Sequence, residues 1–277
     1  MGQKREFSIG IFDSGYGGLT VFKEIQKLLP RYNYIYLGDN ARSPYGKRTF
    51  NTIYNYTLQA VKALFAMDCY LIIIACNTAS AKALRTIQME YLPTTFYPRR
   101  VLGVIRPTTE QANTFAPNGH IGVFGTQGTV LSNSYVIEIN KLYPNIIVTQ
   151  EACPMWVPLI ENNEHETLGA QYFIEKHVNN ILIKDKDISS IILGCTHYPI
   201  IKHIIKKYLP THIRLIDQGE IVAKSLEQYL INHPEIEQNL AKDSIQTFYT
   251  TDDTDTFDNF SATLLEYPVT SRFISID

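Results

Sequence analysis

Two cysteines stand in matched settings. Ala75-Cys76-Asn77-Thr78-Ala79-Ser80 and Gly194-Cys195-Thr196-His197-Tyr198-Pro199 each follow an apolar run, residues 71–74 and 191–193, and pass through the thiol into small polar residues. Such a run predicts a buried strand, and a thiol just past its C-terminal end lies where α/β folds build their sites. Two thiols facing one carbon from opposite sides are what a cofactor-free racemase needs: one removes a proton and the other supplies one. A free thiol titrates near about 8.5, and lower beside a helix N-terminus. Both cysteines precede predicted helices, so the setting is expected to favour the thiolate.

Other groups could serve these thiols. Asp13 directly follows the first predicted strand and could accept a proton from Cys76 or orient it, although Asp is also a common helix cap. His197 lies two residues beyond Cys195 and could serve that thiol, or could be a structural histidine. Ser14, Asn77, Thr78 and Thr196 supply hydroxyl or amide groups that can bind anions together with backbone N–H groups at helix starts. Cys69 and Cys153 read as small buried hydrophobes. No Cys-x-x-Cys and no clustered His-x-x-x-His lies beside them, so neither a structural zinc site nor any other metal is expected.

The elements that must hold these residues repeat. Ser8-Ile9-Gly10-Ile11-Phe12-Asp13-Ser14-Gly15 is echoed by His120-Ile121-Gly122-Val123-Phe124-Gly125-Thr126-Gln127; Ile9 and Ile121 are 112 residues apart, and Cys76 and Cys195 are 119 apart. A duplicated half-chain accounts for both spacings with one change of loop length. Strand-like runs at 8–12, 33–37, 70–75, 101–104, 121–124, 146–149, 191–194, 213–216 and 245–250 alternate with helical patterns at 19–29, 49–67, 129–142, 167–183, 199–208 and 221–232. Alternation of this kind predicts an α/β fold of two similar domains with largely parallel sheets and flanking helices, related by a pseudo-twofold axis. The expected division is residues 1–104 plus 217–277, carrying Asp13 and Cys76, and 105–216, carrying Glu161, Cys195 and His197, with the site in the cleft between.

Composition narrows the partner. The 277 residues are 45% hydrophobic, enough for a full core, and 25 basic against 27 acidic residues leave a net charge of −2. That charge gives no field for nucleic acid or an anionic membrane, so a small-molecule partner is favoured. No apolar stretch has the length of a membrane span, and Met1-Gly2-Gln3-Lys4-Arg5 leads straight into a strand, so a cytoplasmic protein is expected. Gly15-Tyr16-Gly17 after a strand is the start of a dinucleotide loop, with Asp39 placed as a ribose-binding acid would be, but Thr20 stands where the third glycine belongs. No lysine occupies a setting like that of the cysteines, so no pyridoxal cofactor is expected.

Five segments together resemble the bacterial glutamate racemases: Asp13-Ser14-Gly15-Tyr16-Gly17-Gly18-Leu19-Thr20, Gly38-Asp39-Asn40-Ala41-Arg42-Ser43-Pro44-Tyr45-Gly46, Ala75-Cys76-Asn77-Thr78-Ala79, Ala152-Cys153-Pro154 with Val157-Pro158-Leu159-Ile160-Glu161, and Gly194-Cys195-Thr196-His197-Tyr198-Pro199. The resemblance implies interconversion of L- and D-glutamate without a cofactor, for peptidoglycan synthesis. It implies that Cys76 deprotonates D-glutamate and Cys195 L-glutamate, that Asp13 and His197 support them, and that Glu161 assists His197. It puts Tyr45 and Gly46 on the substrate beside Asp13, Ser14, Asn77, Thr78, Thr196 and His197, leaves Asp39 a weak catalytic candidate, and implies a homodimer. An aspartate racemase and a non-catalytic amino-acid binding protein are the alternatives. One departure is the segment 92–100, which is longer than the family's usual connection and is expected to be a surface loop.

Overall fold

A computed structural model describes residues 7–276. Its strands form two sheets in which every pairing is parallel. The first holds β1 (Ser8–Asp13), β2 (Tyr34–Gly38), β3 (Cys69–Ile74), β4 (Arg100–Gly103), β9 (Gln246–Thr250) and β10 (Ser271–Phe273), in the order β10-β9-β2-β1-β3-β4. The second holds β5 (His120–Gly125), β6 (Ile147–Ala152), β7 (Ser190–Gly194) and β8 (Arg214–Ile216), in the order β6-β5-β7-β8. The order β2-β1-β3-β4 thus recurs as β6-β5-β7-β8, with the cysteine-bearing strand third in each run. Both sulfurs therefore leave equivalent places at the C-terminal edges of two sheets.

The sheets are covered on both faces, which is why their central strands are almost continuously apolar. Every residue of β3 and of β7 is buried. Along β1, Ile9 and Ile11 face the helices α1 (Leu19–Leu28) and Gly219–Asn232 through Phe22, Ile25 and Leu226, while Phe12 turns to α2 (Phe50–Ala66) and meets Val61 and Leu64. In the second sheet Phe124, Ile191 and Leu193 pack on the helix Leu168–Lys184 through Ile174, Val178 and Ile181, and Ile121, Val123 and Ile192 pack on the opposite side with Tyr135 and Ile139.

Several elements differ from expectation. The helix expected over 129–142 is two, Gln127–Leu131 and Ser134–Leu142, because Asn133 takes a left-handed conformation between them, which Asn tolerates. The segment expected as a loop at 92–100 begins as helix, Leu92–Thr95, and carries an anchor. Its Phe96 ring lies 4.6 Å from that of Phe65, and Arg99 donates to the Phe65 carbonyl at 2.6 Å, placing a cation at the C-terminal turn of α2. β10 and the helix Thr254–Leu265 had no expected counterpart. No helix among the described residues is long and apolar enough to cross a membrane.

Candidate active site

The C-terminal ends of β1, β3, β5 and β7 converge on one cavity of about 80 Å³ lined by both Cys76 and Cys195. The thiols are 5% and 6% exposed, sheltered but open to the same space. Of the other residues singled out from sequence, Ser14, Tyr45, Gly46, Asn77, Thr78, Thr196 and His197 also line it. Asp13, Asp39 and Glu161 stand behind the lining.

The two thiols have unlike supports. Cys76 stands two residues past β3 and caps α3 (Asn77–Lys82), its sulfur accepting from the Ala79 N–H at 3.5 Å and donating to Ser14 Oγ at 3.4 Å. Burial pushes its pKa up to about 12, with the nearby Asp13 adding to the rise and the hydrogen bonds with Ser14 and Ala79 opposing it. This corrects the expectation that the helix start favours a thiolate here: desolvation outweighs a single cap contact, and Cys76 is a protonated thiol at neutral pH. Cys195 does not cap a helix, for a turn separates it from the 3-10 helix Tyr198–Ile201. Its sulfur lies 3.9 Å from His197 Nδ1, and His197 Nε2 lies 3.0 Å from Glu161 Oε1. Burial alone would lower the His197 pKa, but its bonds to Cys195 and Glu161 hold it well above the ordinary histidine value. Burial likewise raises Glu161, and the bonds from His197 and Ser43 outweigh it, so this carboxyl sits below its usual range. The second thiol thus lies beside a histidine whose charged form the site favours.

Asp13 is wholly buried, and desolvation raises its pKa even though His197 and the N–H groups of Gly18 and Gly15 pull it down. Ser14, not Asp13, is hydrogen-bonded to Cys76; Asp13 accepts from the Gly15 N–H at 3.0 Å and, across the cleft, from Thr196 Oγ1 at 3.3 Å. The halves approach so closely that a β-carbon at Gly17 would lie 2.4 Å from both His197 Nδ1 and Thr196 Oγ1, which is why the turn after β1 needs glycine there. Asp39 is an anchor: it accepts from Tyr45 Oη, from Thr251 Oγ1 at 2.9 Å, and from Arg42 Nε at 2.7 Å. With its hydroxyl so engaged, Tyr45 offers the cavity its ring and backbone.

Sequence reasoning missed Thr126, Gln127, Lys47, Pro154 and Val157, all of which line the cavity, and it took Cys153 for a plain hydrophobe although it lines the cavity too. Thr126 had a signal, since the 112-residue echo places it opposite Ser14; its hydroxyl lies 2.8 Å from that of Thr78. Behind Asn77 is a closed ring: Asn77 Nδ2 donates to Gln218 Oε1 (2.7 Å), Gln218 Nε2 to Tyr135 Oη (2.9 Å), and Tyr135 Oη to Asn77 Oδ1 (2.7 Å). Among the described residues one cluster could hold a metal ion, His120, Asp185 and Asp187, but it lies at the start of β5, away from the cavity. His120 Nδ1 is 3.0 Å from Asp185 Oδ2, and the Asp187 N–H and Thr149 Oγ1 donate to the same carboxylate, so internal hydrogen bonds account for it.

Residues 9–226 match the family model for Asp/Glu/Hydantoin racemases. A glutamate racemase of Persephonella marina is 41% identical over 222 residues, covering 80% of this chain and 82% of that one. The chain belongs to the glutamate racemase family. Solved members share the architecture throughout: a glutamate racemase isoform from Bacillus anthracis superposes with a TM-score of 0.88 at 31% identity, each chain covered to 98%. The Francisella tularensis glutamate racemase, solved in complex with D-glutamate, gives 0.86 at 33% identity, again over 98% of both. For a glutamate racemase family member, two thiols on one cavity with unlike acid–base neighbours are the feature from which a mechanism has to start.

Proposed function

We propose that this chain interconverts L- and D-glutamate without a cofactor, by proton abstraction at Cα on one face and proton delivery on the other. The observation that carries this is the pair of thiols at the ends of equivalent strands, β3 and β7, on a single cavity. With L-glutamate bound, the Cys195 thiolate takes the α-proton, the C–H electron pair remains on the carbanion, and the Cys76 thiol donates its proton to the opposite face. Cys195 leaves the step as thiol and Cys76 as thiolate, the state that accepts D-glutamate. Exchange with solvent returns the thiols for the next L-glutamate. The buried, protonated Cys76 beside a histidine-supported Cys195 suits the L-to-D direction.

Asp13 supports the Cys76 half, and His197 with Glu161 the Cys195 half. Ser14, Asn77, Thr78, Thr196, His197, Asp13, Tyr45 and Gly46 hold the substrate, its carboxylates meeting hydroxyl, amide and backbone donors. Closure of the segments 1–104 plus 217–277 onto 105–216 would exclude water from the carbanion. The product D-glutamate serves peptidoglycan synthesis in the cytoplasm, and the working form is a homodimer, which light scattering of the purified protein checks.

Proton NMR in deuterium oxide tests the mechanism. Wild type should exchange the α-proton of both glutamate enantiomers as it inverts them. Cys76→Ser and Cys195→Ser should each lose inversion by at least about a thousandfold. Cys76→Ser should still wash out the α-proton of L-glutamate with retention, and Cys195→Ser that of D-glutamate. Near-normal inversion by either variant would overturn the two-thiol reading; exchange on aspartate alone would make the chain an aspartate racemase, and exchange on neither a binding protein.

A further inference from the structure

The acid–base groups behind Cys195 converge on one oxygen. Glu161 Oε1 lies 3.0 Å from His197 Nε2 and accepts from Ser43 Oγ at 2.9 Å. Glu161 ends the helix Trp156–Glu161, which packs on the second sheet, whereas Ser43 belongs to the loop that follows β2 in the first. The hydroxyl therefore reaches from one half of the molecule to the acid–base chain of the other. Its loop is tied down on both sides. The Ser43 N–H donates to the Asn40 carbonyl at 3.1 Å, Arg42 donates to Asp39 and, through Nη1, to Gln59 Oε1 at 2.7 Å, and Tyr45 donates to Asp39. Gly15 closes the space beneath, since a β-carbon there would lie 2.9 Å from Glu161 Oε1 and 3.1 Å from Ser43 Oγ.

Resting on the glutamate racemase reading, we infer that Ser43 is a positioning residue for the Cys195 half of the site. Its hydroxyl fixes the Glu161 carboxylate against His197, and so fixes which imidazole nitrogen faces the sulfur. A serine hydroxyl has one proton to donate, and giving it to Oε1 keeps that oxygen an acceptor. His197 then directs Nε2–H to Glu161 and leaves Nδ1 for Cys195, the arrangement that a hydrogen bond to the far nitrogen of a working histidine enforces.

The charged and titratable groups facing Glu161 are His197 from the turn after β7, Asp13 from the last residue of β1, and Tyr16 from the turn that follows it. Burial opposes ionisation of Glu161, and His197 and Ser43 are what favour it. Removing the Ser43 hydroxyl withdraws one of those two supports, and the Glu161 carboxyl must then titrate at higher pH.

The test follows Glu161 directly, by carbon NMR of glutamate side-chain carboxyls labelled with carbon-13, the resonance assigned with Glu161→Gln, alongside the pH profile of kcat/KM. Ser43→Ala should raise the Glu161 midpoint by about one unit. It should move the acid limb of kcat/KM upward with it, and lower kcat/KM on that limb about tenfold. Ser43→Thr, which keeps the hydroxyl, should restore both. A Ser43→Ala midpoint and limb at wild-type values overturn the inference, and so does a Ser43→Thr variant as impaired as Ser43→Ala. If the wild type fails to turn over glutamate while the midpoint still moves in Ser43→Ala and returns in Ser43→Thr, the substrate reading falls and the positioning of Glu161 by Ser43 stands.

Discussion

Asp13 carries opposite demands on a single carboxyl. Desolvation raises its pKa, so its folded value lies above the ordinary 3.8. A group shifted this way contributes its stability in full below the unfolded pKa and loses it as pH rises through the folded one. Above the unfolded pKa the buried Asp13 carboxyl is therefore a burden to the fold, and Asp13→Asn, which fits the same contacts once the Thr196 hydroxyl turns, should be as stable as wild type or more stable by about 1 kcal/mol at pH 7. Turnover should fall by about a hundredfold or more. Urea denaturation at pH 7 and at pH 4 checks the sign: the gap between variant and wild type must narrow at the lower pH. At this scale the sequence exposed the polar machinery well, because Cys76, Cys195, Asp13 and His197 each abut a strand end. What the residues alone left hidden was partnership, and only the family resemblance joined Glu161 to His197. Nothing in chain order pairs Glu161 with His197, or Ser14 rather than Asp13 with Cys76, since those bonds depend on how two separately formed sheets face each other.

Among the elements, the segment 92–100 departs most from its reading as a surface loop. Arg99 meets the end of α2 through the Phe65 carbonyl and lies over the rings of Phe65, at 5.4 Å, and Phe7, at 5.2 Å. Arg99→Ala should cost about 1–2 kcal/mol of stability through the lost charged hydrogen bond and ring contacts. The cavity is lined by other residues, so kcat should stay within about twofold; urea midpoints with steady-state rates separate the two effects. Regular elements were legible wherever apolar periodicity was strong: β1, β3, β5 and β7 fall within a residue or two of their expected bounds. The helix break at Asn133 was not, because the apolar pattern runs through it and only the backbone angle marks the stop. β10 escaped notice because it is short, lies at the sheet's edge and presents two of its three residues to solvent, leaving little pattern to read.

Across the whole molecule, the chain passes between its sheets near Val104 and again near Gln218, and one side chain joins the two passages. Gln218 Nε2 donates to the Val104 carbonyl at 3.1 Å and to Thr108 Oγ1 at 2.9 Å, and its amide completes the ring behind Asn77. Gln218→Ala should loosen closure and the hold on Asn77 together. Mirror-image substrates have equal free energies in water, so kcat/KM must be the same from either side in every variant. With kcat little changed, KM for L- and D-glutamate should therefore rise by one common factor, about tenfold. A fall in kcat at constant KM would instead make Gln218 part of the chemistry. The repeated strand order was legible in outline from the 112- and 119-residue spacings, while the use of the last strands was only partly so.

Those last strands have a bearing on biosynthesis. β9 lies between β2 and β10, with Tyr34 opposite Gln246, so the sheet that holds β1 cannot be finished until the chain through Phe273 has left the ribosome. The other sheet draws all four of its strands from residues 120–216 and can assemble first. Through that interval the nascent protein carries an open β2 margin, a template for wrong partners. Conditions that slow translation late in the message should therefore enrich aggregates long before they affect the finished enzyme.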